Sequence, residues 1–242
     1  MWGTIVNSAA ILGGALLGTL VKKGFSRKVR LTDKFNNILM QGIGLSVVII
    51  GISNALKTQN MLLVIISLVI GGIIGQAVGV EKKLNSLGDY AQKKLGNGQN
   101  SIISEGFVTA SLIYCVGAMA IVGSLDAGLK NDYTILYAKS MLDGITSIVL
   151  ASTLGIGVAF SAIAVFVYQG AITLASGVLS PFLSDAVVSE MTAVGGILIL
   201  GIGLSMLEIK KFNIGNLLPA ILIPPIYFSL VGMTGQLMQI LS

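Results

Sequence analysis

The chain has 242 residues, of which 54% are hydrophobic and only 10% charged, with a mean hydropathy of +0.92 and a formal net charge of +5. A composition this apolar excludes a water-soluble globular fold and makes lipid the working solvent. With no histidine, one cysteine and no carboxylate cluster at metal-ligand spacing, most hydrolytic and redox constellations are excluded, so the chain reads as a non-enzyme without a cofactor.

Eight long apolar stretches follow one another, each long enough for a hydrocarbon core of about 30 Å, which takes roughly 20 helical residues. They predict an all-α, polytopic membrane bundle forming a single integral membrane domain over 1–242. Uninterrupted apolar runs such as Met61 to Ile74 argue against a β-barrel, whose strands alternate apolar and polar residues. The first stretch, Gly3 to Val21, has no basic residues before it and no small-residue cleavage signal at Lys22 and Lys23, so it is expected to stay as the first span. The second, Phe35 to Leu56, contains Gly42-Ile43-Gly44, which reads as a helix-packing surface because no strand precedes it. The third is Met61 to Val80. Glycines cluster in the first, third and seventh stretches, offering small-residue faces for close packing inside one bundle or between copies in a homo-oligomer.

The connection 81–106 is expected on the cytoplasmic side. Val80, Leu84, Leu87, Ala91 and Leu95 recur at helical spacing with lysines between them, the pattern of a helix lying among lipid headgroups or of a solvated helix packed on a loop. The fourth stretch, Phe107 to Leu125, carries Cys115, which reads as a small packed hydrophobe, and ends near Asp126. The fifth and sixth, Thr134 to Leu154 and Gly155 to Leu179, are separated only at Gly155-Ile156-Gly157. As one helix they would measure about 69 Å, more than twice the core thickness, so a tight glycine turn is predicted there. The seventh runs from Ala186 to Leu207. The eighth, Leu217 to Leu237, contains Pro219, Pro224 and Pro225 and is expected to kink or break in its cytoplasmic half.

If the eight stretches alternate in direction, twelve of the fifteen basic residues fall on one face, including Lys22 to Lys34, Lys82, Lys83, Lys93, Lys94, Lys210 and Lys211. The positive-inside rule makes that face cytoplasmic and puts both termini outside. The second and seventh stretches also resemble each other, Val47-Val48-Ile49-Ile50-Gly51-Ile52 against Ile197-Leu198-Ile199-Leu200-Gly201-Ile202. Helices one to three would then correspond to helices six to eight in opposite orientation, the inverted repeat of many secondary transporters.

Charge enters the bilayer in the fifth stretch. Lys139 and Asp143 stand four residues apart on one helix face with Ser140 and Ser147, Asp143 lying about 13 Å deep at roughly 1.5 Å per residue. A carboxylate at that depth is costly unless paired, protonated or facing water, which makes it a functional candidate. Structural pairing with Lys139 is the competing reading, as is a Lys139 that snorkels outward. Gln169 in the sixth stretch, with Asn7 and Gln76, either lines a path or bonds between helices, and Asp126 is the remaining path candidate, at the end of the fourth stretch.

The runs Cys115 to Leu125, Ala138-Lys139-Ser140-Met141-Leu142-Asp143-Gly144 and Tyr168-Gln169-Gly170 resemble the characteristic stretches of the YqgA/YdfK-like bacterial membrane proteins. The resemblance implies a prokaryotic inner-membrane protein and nothing about chemistry. The resulting expectation is a secondary transporter or channel for a small solute or ion, with the lipid bilayer as its other partner and no nucleic acid. The alternative is a non-transporting scaffold or lipid-interacting protein.

Overall fold

A computed structural model describes residues 1–28, 33–83, 86 and 102–231. Every regular element among them is helical. The long helices are α1 (Trp2–Lys28), α2 (Asp33–Ala55), α3 (Met61–Val78), α4 (Ile102–Cys115), α5 (Ala118–Leu129), α6 (Thr134–Leu154), α7 (Gly157–Leu174), α8 (Asp185–Met206) and the C-terminal span α9 (Ile214–Val231), which passes through a 3₁₀ turn at Leu218–Leu222. Local chemistry sets their ends. Asn60 caps α3 by accepting from the Leu63 N–H at 3.1 Å, and Gly79, left-handed at φ 68°, closes it. The predicted glycine turn between α6 and α7 is present, with Gly155 at φ 75°.

The surface is apolar and the interior carries the polar groups. Leu62, Ile65, Val69 and Ile73 of α3 point outward, whereas Asn7, Lys139, Asp143, Gln169, Glu190 and Thr192 are buried. That distribution suits lipid as the solvent, since exposed hydrocarbon costs nothing there and polar groups must find partners within the protein. Among the described residues six helices are long and apolar enough to cross a membrane, and α4 with α5 makes a seventh if the two are one broken span. The apolar part of α2, Met40–Ala55, is shorter.

Two features differ from expectation. The fourth stretch is not one helix: α4 and α5 meet at Val116–Gly117 with a bend of 61°. The C-terminal span starts earlier than Leu217, at Ile214, and its irregular part is confined to the Leu218–Leu222 turn that contains Pro219, with regular helix through Pro224 and Pro225 to Val231. Most of the expected amphipathic helix in 81–106 lies outside the described residues.

Two glycine-mediated crossings organise the bundle. In the first, α1 and α6 run parallel: Gly3 meets Leu136, Gly14 meets Gly144, Gly18 meets Ile148, and Lys22 Nζ donates to the Thr153 carbonyl at 2.7 Å. A β-carbon on Gly14 or Gly18 would fall on the α6 backbone, so these residues serve packing within the chain. The second crossing is antiparallel. Gly44 meets Leu207 and Gly51 meets Leu200, while Gly196 meets Ala55 and Gly203 meets Val48. Antiparallel α3 and α9 pack beside it, Gly71 against Ala220 and Gly75 against Asn216. Because α7 returns after the Gly155 turn, α1 and α7 are antiparallel as well.

Carboxylates secure both ends of the α3–α9 pair. Glu190, 2% exposed, accepts from the Thr58 hydroxyl at 2.6 Å and from the N–H groups of Gln59 and Asn60 at 2.8 and 3.1 Å, where the positive end of α3 begins. At the opposite end Glu81 accepts from the Gly215 N–H at 2.6 Å, at the start of α9.

Candidate functional site

Lys139 and Asp143 are buried at 5% and 6% exposure, midway between α1, α7 and the end of α4. Lys139 Nζ lies 3.0 Å from Asp143 Oδ1 and 2.9 Å from Oδ2, so the lysine turns inward to its partner and does not snorkel. Asn7 of α1 reaches across: its Nδ2 donates to Asp143 Oδ2 at 3.1 Å and to Gln169 Oε1 of α7 at 3.3 Å. Three helices thus contribute to one polar cluster inside an apolar bundle, held together by a charge-assisted pair. It is incompletely satisfied, because Asn7 Oδ1 and Gln169 Nε2 are buried without a partner.

The helix break lies against this cluster. Tyr114 and Cys115 close α4, and the Tyr114 hydroxyl shares a 2.7 Å hydrogen bond with Ser147, one turn beyond Asp143. Val116, at the bend, fills the space beside Gly195 near the middle of α8. The break therefore sits at the depth of the ion pair and touches helices from both glycine crossings. Interrupting a helix there leaves backbone groups of α4 and α5 outside the regular hydrogen-bond ladder, which in a membrane is tolerated where they are buried in protein or line a cavity.

Of the residues singled out from sequence, Lys139, Asp143 and Gln169 come together. Ser147 belongs through Tyr114. Ser140 is buried but donates to the Leu136 carbonyl at 2.7 Å, within its own helix. Asp126 is elsewhere, at the end of α5, paired with the exposed Lys130 at 2.7 Å and holding that ammonium above its ordinary pKa. Nearby, the hydroxyl and N–H of Thr134, the first residue of α6, donate to Asp132 and hold its carboxyl below the usual range. Gln76 accepts from Asn216 at 2.7 Å, between α3 and α9. Asn7 proved the direct partner of Asp143, and Glu190 a second buried carboxylate, signalled in the sequence only by an acid inside an apolar stretch. Among the described residues no group of three or more His, Cys, Asp or Glu side chains is arranged to hold a metal ion.

Among the described residues, cavities of about 840 Å³ each lie at two places on the bundle. One is a polar vestibule between α4, α8 and the start of α9, at the end of the bundle carrying Lys22 and the Gly155 turn, lined by Glu81, Glu105, Glu208, Lys211 and Asn213 among others. The other is an apolar surface groove between α4 and α7, lined by Phe107, Phe160, Ile163, Val167 and Tyr168 among others.

The chain is similar to the uncharacterized membrane protein YdfK of Bacillus subtilis (strain 168), 42% identical over 241 residues that cover 97% of this chain and 99% of the relative. It is also similar to the uncharacterized protein YqgA of Escherichia coli (strain K12), 29% identical over 225 residues, with 91% and 93% of the two chains covered. No solved structure matches it. The model of the family described as "Protein of unknown function (DUF554)" matches residues 2–229, nearly the whole apolar bundle, and the chain belongs to that family of membrane proteins.

Proposed function

We propose that the protein is a secondary transporter or channel for a small solute or ion, with Lys139 and Asp143 on its path. The carrying observation is the buried, incompletely satisfied Lys139–Asp143–Asn7–Gln169 cluster, since an ionisable pair kept in the membrane interior is costly and marks a pathway by default. Packing directions support an inverted repeat. The antiparallel pairs α1/α7, α2/α8 and α3/α9 join helices of the first and last triplets, and the α2/α8 glycines meet reciprocally, Gly44 and Gly51 matching Gly196 and Gly203. That register is two residues removed from the one that aligns Gly51 with Gly201. A break at mid-depth beside the cluster has the place that discontinuous helices hold in transporters with inverted repeats. The polar vestibule supplies an entrance from the lysine-rich end.

These directions agree with eight alternating spans, both termini outside and the lysine-rich end in the cytoplasm of a bacterial inner membrane, and the Bacillus subtilis relative, called a membrane protein, supports a membrane location. No step of this reading calls for an enzyme's chemistry. A lipid-interacting role is the second reading, favoured by the almost wholly apolar lining of the groove at Phe107 and Phe160.

The test uses proteoliposomes with a trapped pH dye and imposed H⁺, Na⁺, K⁺ or Cl⁻ gradients, with and without the small-molecule fraction of a bacterial lysate. Wild type should dissipate at least one gradient faster than empty liposomes, and Asp143→Asn should not, while remaining monodisperse. A wild-type protein indistinguishable from empty liposomes in every condition, or an Asp143→Asn protein as active as wild type, overturns the proposal.

A further inference from the structure

Hydroxyl groups inside a dry helical bundle satisfy themselves by donating to a carbonyl about one turn earlier in their own helix. Ser67, Ser124, Ser140, Ser161 and Thr192 all do so. The Ser8 and Ser111 hydroxyls depart from this pattern singly, and along the contact between α1 and α7 it stops for several groups together. Thr4 Oγ1 and Thr173 Oγ1 are buried without partners, as are Asn7 Oδ1 and Gln169 Nε2. The four residues are 0%, 6%, 0% and 0% exposed in that order.

Their order in space follows from the helices. Thr4 lies one turn before Asn7, and Thr173 one turn after Gln169. Because α1 and α7 are antiparallel and joined by the Asn7–Gln169 hydrogen bond, both threonines lie on the same side of the amide pair, toward the end of the bundle where α1 begins. The unpartnered atoms thus form a row from that end inward to Asp143, whose Oδ2 is held by Asn7.

We propose that this row is a hydrated access path, a file of water molecules that carries protons between that face and Asp143; its purpose rests on the transport reading, its existence does not. The donor pattern selects water. Asn7 Oδ1 only accepts, Gln169 Nε2 only donates, and the hydroxyls do both, so the bridging species must also do both. A bare metal cation is opposed by the donor at Gln169, and an anion by Asn7 Oδ1 and the carboxylate. Asp143 is faced by Lys139 from its own helix, by Asn7 from α1 and, from α4, by Tyr114 and Cys115. When a hydronium at the inner end delivers its proton, one O–H bond breaks in the hydronium and one forms on the carboxylate. A water remains, Asp143 is neutral, and Lys139 keeps its charge without an anionic partner.

The test places single cysteines at Thr4 and Thr173 in a Cys115→Ser background, with Thr192→Cys and Ser161→Cys as equally buried controls. Silver ion, which follows water paths and binds thiols, is added to one side of oriented proteoliposomes, and protected thiols are counted by maleimide labelling after denaturation. Positions 4 and 173 should be protected at least about tenfold faster than the controls, and only from the side where α1 begins. The path should also depend on its hydroxyls: Thr4→Val with Thr173→Val keeps the shape and should slow silver at a Gln169→Cys thiol about tenfold. Equal rates at all positions, equal access from both sides, or no effect of the valines overturns the inference. If Asp143→Asn transports normally while silver still reaches position 173, the transport reading falls and the path stands. If transport depends on Asp143 while positions 4 and 173 stay dry, the path alone is lost.

Discussion

Lys139 and Asp143 share a helix face one turn apart, and their separation from water makes each the condition of the other's charge. Removing one partner of a buried pair costs more than removing both, because the survivor keeps its desolvation penalty and loses its compensation. Lys139→Ala should therefore lower unfolding stability in detergent by about 3–5 kcal/mol, while Lys139→Met combined with Asp143→Leu should recover most of that loss. Calorimetry or denaturant titration of purified protein distinguishes the two, and a double variant no more stable than Lys139→Ala would remove the pair from its structural role. The serines one helical step away behave differently. Ser140 satisfies its hydroxyl within α6, so Ser140→Ala should change stability by no more than about 1 kcal/mol.

Among the helices, the glycines divide by what stands opposite them. A β-carbon at Gly51 or Gly75 would occupy the backbone of α8 or of the start of α9, whereas one at Gly13 or Gly42 meets nothing within 4 Å. Gly51→Ala and Gly75→Ala should each destabilise by about 1–3 kcal/mol through forced separation of helices, and Gly13→Ala and Gly42→Ala should stabilise by up to about 1 kcal/mol through helix propensity. Melting temperatures of the four variants check the signs. This division also shows what the sequence could reveal. The glycine runs announced close approach, but not whether the neighbour was a second copy or another helix; for Gly14 and Gly18 it is α6, more than 120 residues away in the chain. Lys139 and Asp143 were legible because their spacing is local. Asn7 was not legible as their partner, since its bonds span 136 and 162 residues. The bend at Val116–Gly117 left no mark either, for the stretch is apolar or small throughout and contains no proline, and only the fit of Val116 beside Gly195 gives the interruption a place.

The whole molecule is assembled from two packed groups, α1 with α6 and α7, and α2 with α3, α8 and α9. The bent α4–α5 segment touches both, through Tyr114 on Ser147 and Val116 on Gly195. The proposed arrangement of eight alternating spans would put Asn131 and Lys210 on opposite sides of the membrane. In a Cys115-free protein, a cysteine at Asn131 should react with an impermeant thiol reagent only from outside and one at Lys210 only from the cytoplasm; labelling of both from the same side would refute the arrangement. The bend has a mechanical consequence as well. From Gly117 to the end of α5 is about 18 Å at 1.5 Å per residue, so a rotation of about 10° at the bend carries that far end through about 3 Å. A water molecule is about 2.8 Å across. A rotation at this joint, at mid-depth and next to the only buried ion pair among the described residues, would therefore shift the far end of α5 by one water's width.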